Sequence, residues 1–180
     1  MTKRKAVLPR LIILLAVLYG GGAAPVHAAA AMPKPLAAEK APKAAPAVTF
    51  SDGKGVKHSL KEYRGKYVLV NMWATWCAPC VAELPALARL KASAPNIHVL
   101  AVDLTGKTQT PAKSLAFLKE HKAESLGAYV DTERMFMRGF LAAVMPTTVL
   151  IDPQGKVVAR AEGPAEWASA PFVAYFKSLN

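Results

Sequence analysis

A chain of 180 residues, 53% hydrophobic and 19% charged, has the apolar content of a globular protein rather than a disordered one. Its formal net charge of +11 is uneven: residues 1–28 carry four basic residues and no acid, residues 29–47 three basic and one acidic, and the remainder 16 basic and 11 acidic. The basic residues of that last part are spaced singly, which argues against the clustered basic face of a nucleic-acid-binding protein.

Lys3, Arg4, Lys5 and Arg10 form a basic start, and Leu11 to Leu18 an apolar core. Gly20-Gly21-Gly22 breaks the core, and Val26-His27-Ala28 supplies the small residues that a signal peptidase reads. This order predicts a secretory signal peptide over residues 1–28, cleaved near Ala28 or Ala30. The alternative is an uncleaved anchor over residues 11–24, although its apolar run is short against the roughly 20 residues that a membrane span needs. No cysteine follows the core, so a lipid anchor is not indicated. Residues 29–47 are nearly all Ala, Pro and Lys and are expected to form an extended tether.

The folded part is expected to begin at Val48. Val48-Thr49-Phe50 reads as a short strand, Ser51 to Gly55 as a turn, and Leu60 to Arg64 as one helical turn ended by Gly65. Tyr67 to Trp73, rich in β-branched and aromatic residues, reads as a buried strand. A helix follows to about Ala92, with an apolar stripe through Leu84, Leu87 and Leu90 and a kink at Pro85. Ile97 to Leu104 is a second strand. Pro111 to His121 is a second helix capped by Thr110. Tyr129-Val130 is short and indistinct, and Glu133 to Phe140 has helical character. Thr147 to Ile151 and Lys156 to Arg160 make a hairpin around Asp152-Pro153-Gln154-Gly155, and Ala168 to Leu179 is the last helix. Strand–helix alternation closed by a hairpin predicts an α/β fold with a mixed sheet.

The chain's two cysteines lie in Trp76-Cys77-Ala78-Pro79-Cys80, after a buried strand and at the opening of a helix. Unpaired backbone N–H groups at a helix start favour a thiolate. Cys77 can therefore attack a disulfide, and Cys80, one turn inside and less exposed, can resolve the mixed disulfide. A purely structural bridge would close too small a loop to gain much from chain entropy. A metal site would need two more ligands, and His58, His98 and His121 are scattered. Neither a metal nor a cofactor is implied.

The run from Val68 to Cys80, Val-Leu-Val-Asn-Met-Trp-Ala-Thr-Trp-Cys-Ala-Pro-Cys, resembles the redox centre of thioredoxin-like proteins. More narrowly, it resembles the TlpA-like disulfide reductases that bacteria export. Arg64-Gly65-Lys66, Glu83-Leu84-Pro85 and Met145-Pro146-Thr147-Thr148 match the same family. The resemblance implies a thioredoxin-like domain over residues 48–180, a central mixed β-sheet flanked by helices. It implies Cys77 as nucleophile, Cys80 as resolver and Pro146 as a cis proline facing them. Met145 would offer its backbone N–H and C=O to an extended substrate segment, and Trp76 would shape the docking face. Trp73 fits core or docking face equally well, and Gly163 could leave room for a partner. Asn71 stands where many thioredoxins bury an aspartate, and an amide cannot titrate. Asp103 is then the candidate for proton transfer, its plain reading being a strand-end surface or turn carboxylate. Glu83 would oppose thiol deprotonation if it approached the cysteines.

The resemblance further implies an exported thiol–disulfide oxidoreductase that reduces extracytoplasmic protein disulfides, in cytochrome c maturation or copper-site assembly. A membrane thiol carrier would donate the electrons, no nucleic acid would be bound, and the membrane would be touched only through a retained N-terminal segment. Val144-Met145-Pro146-Thr147 departs from the Gly-Val-Pro-Glu of the cytochrome-specialised branch. The alternatives are a general periplasmic thiol oxidant, disfavoured by the lack of a large helical insertion, and a non-enzymatic metallochaperone or binding module. A peroxidase is disfavoured because Cys77 lacks a Pro-x-x-x-Thr-x-x-Cys setting.

Overall fold

The computed structural model describes residues 30–179; the leader read over residues 1–28, and its alternative as an anchor over 11–24, lie outside the described residues. The elements in chain order are β1 (Ala37–Ala44), β2 (Thr49–Ser51), β3 (Lys57–Ser59), β4 (Val68–Trp73), α1 (Ala78–Ser93) and β5 (His98–Asp103). There follow α2 (Pro111–Glu120), β6 (Tyr129–Val130), α3 (Met135–Gly139), β7 (Thr147–Ile151), β8 (Lys156–Glu162) and α4 (Ala170–Lys177). All eight strands join one sheet in the order β1-β8-β7-β4-β5-β6-β2-β3. Central β4 runs parallel to β5 and antiparallel to β7, so the sheet is mixed and the fold is thioredoxin-like α/β.

Strand side chains alternate between the two faces, and each face has its own core. Leu69 and Trp73 of β4, with Val99, Ala101, Leu150 and Ala159, pack against Leu84 and Leu87 of α1 and Phe172 and Phe176 of α4. Val68, Val70 and Met72, with Leu100, Val102 and Val149, pack against Phe136 and Phe140 around α3 and against Val48 and Phe50. All six residues of β4 are buried, as a strand covered on both faces requires. α2 starts as its sequence predicts: the Thr110 hydroxyl accepts from the Lys113 N–H at 3.2 Å, with Pro111 in the first turn.

The tether expected over residues 29–47 needs correction. Ala37–Ala44 is an edge strand, pairing Ala37 with Arg160, Ala38 with Ala159, Lys43 with Val157 and Ala44 with Lys156, and interrupted by a bulge between Ala38 and Lys43. Just before it, Leu36 is buried in the α1/α4 core, with Ala30 and Met32 against the same cluster. A composition with little to bury can still form a strand, because ladder hydrogen bonds use the backbone, which every residue except proline supplies in full. Pro42 falls in the bulge, where a missing N–H is tolerated. β1 thus covers the edge that β8 would otherwise expose. The hairpin partner β3 is a second element that the sequence did not announce.

Candidate active site

β4 ends at Trp73, and Ala74 to Trp76 lead into α1. Cys77 is the N-cap residue of α1, in an extended conformation, and Pro79 lies in the first turn. The Cys77 N–H donates to the Ala74 carbonyl at 3.1 Å, and the Cys77 carbonyl accepts from the Val81 N–H at 3.1 Å. Cys77 and Cys80 form a disulfide, with their Cα atoms 5.3 Å apart. Cys80 is wholly buried and Cys77 is 6% exposed, so the expected asymmetry is present but narrow: in the oxidised pair even the outer sulfur is largely covered.

Register brings Pro146 to the same end of the sheet. Thr147 pairs with Met72, one residue from the end of β4, so Met145 and Pro146 lie at the end where α1 begins. The Met145–Pro146 bond is cis. Met145 packs against the cluster that contains both cysteines. The Pro146 carbonyl accepts from the Gly163 N–H at 2.9 Å, whereas among the described residues the Met145 N–H and C=O have no partner. Gly163 has φ +89, and a Cβ built there would meet nothing. Its backbone conformation, rather than close packing, is what asks for glycine.

Trp76 is 57% exposed, with its indole N–H donating to the Thr105 carbonyl at 3.3 Å. Trp73, by contrast, is a core residue: it is fully buried and stacks on Phe117 with ring centroids 5.7 Å apart. Asp103 is also fully buried. One of its oxygens accepts from the Thr105 N–H and hydroxyl, and the other from the Gln109 amide. Thr105 accepts in turn from the Thr75 N–H at 3.0 Å. Asp103 is therefore the turn carboxylate of its plain reading, buried rather than on the surface, and it braces the loop beneath Trp76.

The acid in the hydrogen-bonded centre is Glu83. It lies three residues after Cys80 on the inward face of α1 and is 4% exposed. Its Oε1 accepts from Asn71 Nδ2 at 2.7 Å. Its Oε2 accepts from Trp167 Nε1 at 2.8 Å and from the Ala165 N–H at 3.0 Å. Asn71 shares its strand face with Leu69 and Trp73, which aims it at α1, and it also donates to Thr148 Oγ1 at 2.9 Å. Burial pushes the Glu83 carboxyl up from its ordinary value, against its three donors, which favour the charged form. Glu83 also lines a cleft of 710 Å³ with Pro79, Pro164, Ala165 and the Pro33–Pro35 arm. In the sequence, Glu83 stands out as part of the family-like Glu83-Leu84-Pro85 run and as a charge opposing thiol deprotonation, while the proton-transfer candidacy falls to Asp103. The available signal was its spacing: a glutamate one turn beyond Cys80 points to the side that helix α1 buries.

Residues 41–160 match the family described as AhpC/TSA. The chain belongs to the AhpC/TSA family. Among AhpC/TSA relatives, it is 32% identical over 115 residues to the thiol-disulfide oxidoreductase ResA of Geobacillus kaustophilus, covering 63% of this chain and 64% of that protein, just under two thirds of its length. It is 30% identical over 140 residues to ResA of Bacillus thuringiensis strain Al Hakam, covering 77% and 78%. The crystal structure of a putative thiol:disulfide interchange protein DsbE from Chlorobium tepidum superposes with TM-score 0.66 and 27% identity, covering 77% of this chain and 97% of that one. These likenesses match the TlpA-like reading of the motifs. With the Cys77–Cys80 disulfide, they support thiol–disulfide redox activity.

Proposed function

We propose that this AhpC/TSA-family chain is an exported thiol–disulfide oxidoreductase that reduces disulfides of extracytoplasmic partner proteins. The observation that carries the reading is the meeting, at one end of the sheet, of a Cys77–Cys80 disulfide at a helix start with a Met145 backbone, beside cis-Pro146, that has no partner among the described residues. In the reduced protein, the Cys77 thiolate attacks one sulfur of the partner's disulfide. A Cys77–partner bond forms, and the first partner thiolate leaves. Cys80, as a thiolate, then attacks the Cys77 sulfur, releases the second partner thiolate and leaves the Cys77–Cys80 disulfide. Two electrons pass to the partner, and a membrane dithiol carrier returns two to the pair.

Met145 presents its N–H and C=O to an extended partner segment as a short added strand, while Trp76 walls the docking face. Glu83, one turn after Cys80 on the buried face of α1 and held by Asn71, Trp167 and the Ala165 N–H, is our candidate, ahead of Asp103, for exchanging the resolver's proton. The pathway we favour is assembly of an extracytoplasmic metal centre, cytochrome c or copper. Export is supported by the basic start, the apolar core and Val26-His27-Ala28.

Mixed-disulfide trapping with Cys80→Ala tests this reading: a covalently captured extracytoplasmic protein, released by reductant, is the expected result. A potential near the roughly −120 mV of a strong periplasmic oxidant, with the pair found oxidised in cells, would overturn the reducing direction.

A further inference from the structure

Beside Trp76 lies a concavity of 460 Å³ lined by Gly106, Lys107, Thr132, Glu133, Arg134 and Arg138. Its cations are held in place. The Arg134 guanidinium carbon lies 5.9 Å from the centroid of the Trp76 ring. Arg134 Nε donates to the Leu104 carbonyl at 3.2 Å, and Nη2 donates to the Thr105 carbonyl at 3.1 Å. These bonds use two of the five N–H groups that a guanidinium carries. Arg138 Nη1 donates to the Glu133 carbonyl at 2.6 Å, and Lys107 is exposed. Among the described residues, ion pairs form only around His58 and Arg160, so none of these three cations is neutralised by contact. The one carboxylate lining the hollow is Glu133. Nearby Asp131 is buried and accepts from the Phe136 N–H.

Resting on the oxidoreductase reading above, we propose that this ledge binds an acidic stretch of the partner protein lying beside its reacting cysteine. The hollow opens next to the exposed Trp76 ring, one residue from the nucleophile. A partner seated on the Met145 backbone therefore has chain within reach of the ledge. The arginines are already fixed by backbone carbonyls, so little side-chain freedom is lost when a carboxylate arrives. Val144, next to Met145, is 46% exposed. A partner segment that is apolar where it crosses Val144 and acidic where it passes Trp76 matches both halves of the face. A basic segment would meet three cations that form no ion pair among the described residues.

The test uses three peptides that share one disulfide and differ only in flanking Glu, Gln or Lys triplets. Each rate of reduction by the reduced full-length chain is divided by that peptide's rate with a neutral dithiol, which removes the flank's own effect on the sulfurs. At low salt the Glu peptide is expected to react about ten-fold faster than the Lys peptide, the lower end of electrostatic steering. The ratio should shrink towards one at high salt, where screening is complete within a few ångströms, and should invert in Lys107→Glu/Arg138→Glu. Equal normalised rates, or a preference that survives high salt, would overturn the proposal even if the variant did not fold. Reduction of the Gln peptide in that case leaves the oxidoreductase reading intact. Failure to reduce any of the three overturns that reading and this proposal with it.

Discussion

Asn71 donates to Glu83 Oε1 at 2.7 Å from an amide whose own oxygen, Oδ1, is buried and has no partner among the described residues. Turning that amide by half a revolution would present Oδ1 to Glu83 and Thr148, where it could accept from a protonated carboxyl and from the threonine hydroxyl. One side chain can thus serve both charge states of Glu83.

The first expectation follows from the direction of the Glu83 shift. Burial raises its folded value above the ordinary 4.5, so ionisation opposes folding. The benefit of the neutral carboxyl is fully present below the unfolded value and is lost as pH rises through the folded one. Glu83→Gln keeps an acceptor for Trp167 and Ala165 and, with Asn71 turned, a partner for its own amide. The stability of the native chain relative to Glu83→Gln should therefore fall as pH rises upward from about 4.5. Urea midpoints of the two proteins across that range check it, and a pH-independent gap would refute it.

The cysteines should be kinetically unequal once reduced. Cys77 caps α1 and is 6% exposed, while Cys80 is fully covered. Alkylation of the reduced protein followed by peptide mapping should label Cys77 first. Faster labelling at Cys80 would reverse the two roles.

Leu36 provides a test of the edge strand. It is buried against the α1/α4 core, and Leu36→Ala should lower stability by about 2 kcal/mol, the low end of the range for buried leucine. Chemical denaturation measures this, and an unchanged midpoint would mean that the arm contributes no packing.

His58 predicts a second pH dependence far from the thiols. Its hydrogen bond to Glu62 at 2.7 Å, seconded by Asp52 at 3.2 Å, raises its value above 6.5. The stabilisation of the β2–β3 hairpin is present below 6.5 and is lost as pH rises through the folded value. His58→Gln should therefore be less stable than the native chain in mild acid and converge with it at alkaline pH. Because the three side chains are solvent-accessible, the effect should also shrink with added salt. A gap that widens with pH would contradict the assignment.

Much of this was legible in the chain. The strand before Cys77, the helix after it, the capped α2 and the β7–β8 hairpin all announce themselves through periodicity, caps and turn residues, which are local signals. What escaped was non-local. β1 is drawn into the sheet by the unpaired edge of β8, more than a hundred residues away, and nothing in Ala-Ala-Glu-Lys-Ala-Pro-Lys-Ala encodes that partner. β3 is three residues long and gains its place from β2. The hydrogen-bonded place of Glu83 was not legible because its three donors come from β4 and from the β8–α4 connection, which only the fold brings together. Asp103 was visible as a strand-end acid, but its partners Thr105 and Gln109 lie in a loop whose path the sequence does not state.

The early start of the sheet shortens the leash on this domain. Were residues 11–24 to remain in a bilayer, a tether running from residue 25 to residue 47 would let the domain roam about 80 Å. With Leu36 already seated in the core, the eleven residues from 25 to 35 could span at most about 38 Å, and Ala30 and Met32 already lie against that core. Part of that length, Pro33 to Pro35, lies along the wall of the cleft beside Pro79 and Glu83. A membrane-held copy would work close above the lipid, within reach of proteins embedded in the same membrane.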